Sequence, residues 1–191
     1  MDEHQLLSRD LRIMEEMVGE MNPYLMSESM WWTMTHGDMP RLTLGGCLMR
    51  KHRLSIVQNQ LSQEERIRLQ DAARQLEQML AENITRFEHR ATQELRARLS
   101  EWAGHLRALK SNTMAETEHY ANNVDTRVVI TATMDKLAET PFQLDPNIST
   151  ELAQLDQNLR NRWLAGDFIW PAVWIPAYPP DKYWFLYGRR K

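Results

Sequence analysis

Between Ser62 and Lys110 the chain contains no proline and one glycine, Gly104. Apolar side chains recur there at Leu69, Ala73, Leu76, Leu80, Ile84, Phe87, Ala91, Leu95, Leu99, Trp102, Leu106 and Leu109. The mean spacing is about 3.6 residues, the period of an α-helix, and Leu69, Leu80, Ala91 and Trp102 stand eleven apart. An eleven-residue interval describes a nearly straight amphipathic helix, whereas a sustained seven-residue repeat imposes a left-handed supercoil. Ser62 followed three residues later by Glu65 is a capping box, in which each side chain satisfies a backbone amide of the other. Unbroken, such a helix runs on the order of 70 Å at 1.5 Å per residue, while a compact chain of 191 residues has a radius of gyration of about 16 Å. Two outcomes satisfy this mismatch. The helix breaks near its middle or near Gly104, or the protein is elongated and its stripe takes a partner helix as a coiled coil does.

The remaining elements are shorter. Residues 2–21 carry Leu6, Ile13, Met14, Met17 and Met21 at helical spacing, and Asn22-Pro23 is expected to end that helix. Gly37-Asp38-Met39-Pro40 reads as a loop, and Leu48 to Gln60 as a helix entered through a Gly45-Gly46 turn. After a second capping-box pattern at Thr113 and Glu116, helical spacing continues through Tyr120, Val124 and Val128. The β-branched run from Thr126 to Thr133 leaves a short strand as the alternative. Pro141 to Pro146 is a connector. Ser149 is read as the cap of a helix carrying Leu152, Leu155, Leu159, Trp163 and Leu164, which Gly166 stops.

The tail is different in kind. Residues 168–191 hold eight of the sixteen aromatics and four of the eight prolines, so the segment cannot be a regular helix and has too much apolar area to stay in water. The primary expectation is a strap that completes the core of its own chain. Two alternatives are an exposed anchor for another protein, through Trp170, Trp174, Tyr178, Trp184 and Tyr187, and docking to a membrane surface beside Arg189, Arg190 and Lys191. Trp31-Trp32, set between methionines, suits a core or a groove for a partner helix, with core the favoured choice.

Charge and motifs narrow the functions. The formal charge is −3, which gives no whole-molecule attraction for a polyanion. It is unevenly spread: residues 1–40 hold 2 basic and 8 acidic side chains, a net −6, and residues 41–60 hold 4 basic and no acidic ones, a net +4. Opposite runs folding against each other is the plain reading. The sharper one makes Arg50, Lys51 and Arg53 an anion or nucleic-acid contact, weak and salt-sensitive. One cysteine, Cys47, excludes an intramolecular disulfide and a thiolate metal site. With an acidic, polar N-terminus and no run of 18 apolar residues, a cytoplasmic protein without a membrane span is expected. No phosphate-cradling, nucleophile-elbow or dinucleotide motif occurs. Glu116 and His119 have the Glu-x-x-His spacing of carboxylate-bridged metal bundles, but such sites need a second pair. No catalytic residue, metal or cofactor is assigned.

Several stretches together resemble an uncharacterised family of bacterial all-helical proteins with no assigned activity. They are Pro40-Arg41-Leu42-Thr43-Leu44-Gly45-Gly46 leading to His52-Arg53-Leu54, Phe87-Glu88 and Trp102 on the long helix, and Ala177-Tyr178-Pro179 with Trp184-Phe185-Leu186-Tyr187-Gly188. The resemblance implies only that the tail belongs to the folded unit. The expectation is thus a single all-α domain over 1–191: N-terminal helices 1–60, the long helix 62–110, C-terminal helices 113–165, and the strap 166–191. Its expected role is that of a non-enzymatic interaction or scaffold protein that binds a protein partner or itself. The alternatives are a nucleic-acid-associated helper and a metal-dependent helical-bundle enzyme.

Overall fold

The computed structural model describes residues 2–109 and 114–190, with the backbone alone for 114–118. Among these the chain forms eight helices and one two-stranded ribbon, an all-α fold closed by a C-terminal strap. The helices are α1 (Glu3–Gly19), α2 (Met21–Met26), α3 (Leu44–Ile56), α4 (Gln63–Glu82), α5 (Ile84–Ala108), α6 (Met114–Asn123), α7 (Asp125–Leu137) and α8 (Pro146–Arg160). The ribbon pairs β1 (Trp163–Phe168) with β2 (Tyr187–Arg190) in antiparallel register. Buried apolar side chains spread along the chain, from Leu7 to Leu186, form one cluster.

The long stripe is broken, at Asn83. Ser62 and Glu65 make the expected reciprocal cap of α4, with Ser62 N donating to Glu65 Oε2 at 2.9 Å and Glu65 N to Ser62 Oγ at 3.2 Å. The helix then stops where Asn83, at φ −126° and ψ 39°, turns its Nδ2 back onto the Met79 carbonyl at 2.9 Å. Phe87 N already donates to Asn83 O, so α5 restarts without a loop. The break lets the two halves find different cover: α4 packs on α1, and α5 on α7 and α8. Leu69, Leu76, Leu80, Phe87, Ala91, Leu95, Leu99, Trp102 and Leu106 are all buried by this chain's own elements.

Other boundaries differ from expectation for local reasons. Pro23 does not end a helix but sits in the first turn of α2, where its missing N–H is not needed. Gly45 and Gly46 lie inside the first turn of α3, which is capped by Thr43 Oγ1 accepting from Gly46 N at 3.0 Å. Helix α8 starts ahead of Ser149, with Asp145 as cap and Pro146 at the first position. That Asp-Pro pair was the readable signal. The same helix ends at Arg160, so Trp163, Leu164 and Gly166 belong to β1. Gly188, opposite Ala165, has φ +129°, and any Cβ there would run into the Leu164 carbonyl, so only glycine fits. The cap expected at Thr113 lies outside the described residues.

The β-branched run is helix, not strand. Every residue from Thr126 to Thr133 is buried, because this stretch of α7 runs against both α3 and α5, and that burial outweighs the β-branched preference for strand. Its threonines bond back along the helix, Thr131 Oγ1 to Arg127 O at 3.2 Å and Thr133 Oγ1 to Val129 O at 2.9 Å, which removes their competition with the backbone ladder. Arg127, buried on α7, donates through Nε and Nη2 to Asp156 of α8 at 2.9 and 2.8 Å and lies 4.5 Å over the Phe185 ring. One side chain thereby joins two helices to the tail.

Candidate functional site

The three basic residues of α3 do not form an open patch. Arg53 holds Asp10 of α1 through two nitrogens, Nε to Oδ2 at 2.6 Å and Nη2 to Oδ1, and Arg50 Nε lies 3.3 Å from the same carboxylate. Asp10 is 5% exposed. The Arg53 guanidinium also sits 4.4 Å over the Trp174 ring. Lys51 donates to Glu77 of α4, whose other oxygen accepts from Lys136 at 2.6 Å. Burial alone would raise the Glu77 pKa, but the bonds from Lys136 and Lys51 overcome it and hold the carboxyl below its ordinary value. The basic run of α3 is thus neutralised inside the fold, its arginines by α1 and its lysine by α4. Arg50, Lys51 and Arg53, expected as an anion contact, are divided between two different internal carboxylates, Asp10 and Glu77.

The tail aromatics are equally committed. Trp174 and Tyr178 are buried, with burial pushing the Tyr178 phenol up to about 12. Trp170 donates Nε1 to Ala121 O at 3.3 Å, and Tyr187 its hydroxyl to Tyr178 O at 2.8 Å. Trp184 is half-buried beneath the Arg160 guanidinium at 4.0 Å. None of the five stands out as an anchor; they close the fold. Arg190 donates to Leu109 O, Arg189 is exposed, and Lys191 lies outside the described residues.

The metal reading finds no support. The Glu116 side chain lies outside the described residues, His119 is exposed with its ring 5.0 Å from that of His105, and among the described residues no three His, Cys, Asp or Glu side chains gather to hold an ion. Cys47 is buried, and burial pushes its thiol up to about 12, the state of a structural cysteine.

What the sequence did not single out is how the chain treats Trp31 and Trp32. Trp32 forms an isolated antiparallel bridge with Leu42, the two exchanging backbone bonds at 3.2 and 2.9 Å, while Met30 and Trp31 before it lie in a bend. Trp32 turns inward and donates Nε1 to Glu20 at 2.6 Å. Trp31 turns outward, 37% exposed, with the Arg98 guanidinium 4.7 Å from its ring. The surrounding loop is pinned at many points. Arg90, buried on α5, donates to the Ser27 and Ser29 carbonyls and stacks 4.9 Å over Tyr24. Tyr24 donates to Met30 O at 3.3 Å, Ser29 Oγ to Trp31 O at 3.1 Å, and Thr35 N to Glu20 Oε1 at 2.8 Å. Met26, at the end of α2, is also open, at 49%. The core expected for the Trp31-Trp32 pair holds for Trp32, which packs against it, and not for Trp31.

No helix among the described residues is long and apolar enough to cross a membrane. Comparison with known proteins found no matching family model, no matching curated protein and no matching solved structure.

Proposed function

We propose that this protein is a non-enzymatic helical interaction protein, and that it meets its partner through the pinned loop after α2, with Trp31 as the anchor and Met26 near it in sequence. The observation that carries this reading is the exposed Trp31 ring resting on Arg98 in a segment whose carbonyls are tied down by Arg90. A large aromatic already held in one place loses little freedom on binding, which is what makes tryptophan a frequent source of interface energy.

The test is a capture experiment from the native cell with the intact chain, Trp31→Ala and Met26→Asp. Both variants, checked for retained fold by circular dichroism, should lose companions that the intact chain retains. Sedimentation of the purified protein, run alongside, identifies a second copy as the partner. Companions held equally by all three chains, with no self-association, overturn the proposal.

A further inference from the structure

Between α3 and α7 lies a cavity of about 240 Å³, open to solvent on one side and lined by no residue of the Trp31 loop. It has room for a small organic molecule. Part of its wall is apolar, from Leu48, Ile56 and Ala132. The rest is charged or polar: Lys51, His52 and Ser55 from α3, and Asp135, Lys136 and Glu139 from α7 and the residues just after it. Asp135 and Glu139 stand at the solvent side, their side chains 47% and 59% exposed.

The charges around this space balance. Three ammoniums, Lys51, Lys136 and Lys182, meet three carboxylates, Glu77, Asp135 and Glu139. Bonding capacity nevertheless remains. Lys51 has a single carboxylate partner for its three protons, and the ion pairs of Asp135 and Glu139 each engage one oxygen. His52 is oriented by its bond to the Ala177 carbonyl at 2.9 Å. A carbonyl only accepts, so Nε2 carries the proton and Nδ1 is left as an acceptor in the neutral ring.

A ligand of net charge would bring a charge for which this balanced set holds no spare counter-ion. A ligand carrying one charge of each sign would not. We propose that the cavity binds a small zwitterion with an apolar body, of the class of the free aliphatic α-amino acids. Its carboxylate meets Lys51, its ammonium meets Asp135 and Glu139, and its side chain lies on Leu48, Ile56 and Ala132.

The probes are L-leucine, isovalerate and isopentylamine, which share an apolar body and differ in which charges they carry. Binding is followed by calorimetry and by ¹H–¹⁵N NMR of the intact chain at one pH and ionic strength. Leucine should bind and shift the resonances of α3 and α7, with each singly charged analogue at least tenfold weaker. Asp135→Asn, at an exposed position, should weaken leucine at least tenfold while the NMR spectrum stays that of the folded protein. Lys51→Met should do the same. No binding of leucine at 10-fold molar excess up to millimolar concentrations, equal binding of the analogues, or leucine affinity unchanged in Asp135→Asn overturns the proposal.

Discussion

Replacing Gly45 by alanine separates what a helix wants locally from what its neighbour permits. Gly45 lies in the first turn of α3 with no positive φ, so by propensity alone alanine gains about 1 kcal/mol. A Cβ there, however, would stand 2.5 Å from Thr133 Oγ1 and 3.0 Å from Glu94 Oε1, and in collision with Val129 Cγ1. Val129 and Thr133 are β-branched residues on a buried helix, with Thr133 Oγ1 already bonded to Val129 O, so neither rotates away. Helix α3 must move off α7. Overpacking of this kind costs about 1–3 kcal/mol. The movement also strains the bond from Gly45 N to Glu94 Oε2 at 3.0 Å, a bond to a fully buried carboxylate worth about 1.5–3 kcal/mol. Set against the propensity gain, the expected net loss is about 3 kcal/mol, or roughly 6–12 °C in melting temperature for a chain of this size. The same substitution at Gly104 is the control, since a Cβ there meets only Arg107 Nη2 at 3.8 Å and should stabilise by about 0.5–1 kcal/mol. Urea unfolding followed by circular dichroism at 222 nm measures both. If Gly45→Ala is as stable as Gly104→Ala, the close packing of α3 on α7 is wrong.

Three further outcomes follow from the ion pairs and the strap. Asp10→Asn leaves Arg50 and Arg53 without their shared counter-ion and should cost about 3–5 kcal/mol in chemical denaturation; a loss under about 1 kcal/mol counts against the buried pairing. Glu20, Glu65 and Glu77 are each held below the ordinary 4.5, burial working upward and being outweighed by hydrogen bonds from Thr35 and Trp32, from Ser8 and Ser62, and from Lys136 and Lys51. A carboxyl with a lowered folded pKa contributes stability that is present above its unfolded value and lost as pH falls through the folded one. Unfolding free energy should therefore be level down to about pH 5 and drop below about 4.5, with protons taken up on unfolding, and Glu77→Gln should make the drop shallower. Truncation after Gly166 removes Trp174, Tyr178, Tyr183 and Phe185 from the core. At about 3–5 kcal/mol for each large aromatic, the loss matches or exceeds a typical total of about 5–15 kcal/mol, and the truncated chain should show no cooperative thermal transition.

The parts of the fold that could be read in advance are those whose signal is local. The Ser62 and Glu65 cap, the stripe from Leu69 to Leu106, and the exclusion of the tail from helix all follow from spacing and from proline's missing donor. That the tail would be buried followed from its aromatic area. The site was less legible. Arg50 and Arg53 look like a basic patch until Asp10, some forty residues earlier, is laid against them, and the Trp31-Trp32 pair, read as core, is split by the fold into one packed ring and one exposed one.

The amino-acid order by itself determined an all-helical chain with one dominant amphipathic stripe and a strap of aromatics, because periodicity, capping and apolar area are properties of neighbouring residues. Only the tertiary structure decided that the stripe breaks at Asn83, that Thr126–Thr133 is helix against its β-branched preference, that Gly45 is needed for a missing Cβ and not for a turn, and that the cations of α3 are committed to α1 and α4. Each of these depends on which surface arrives from a distant part of the chain, and the free energy of that burial exceeds the preferences that neighbouring residues express.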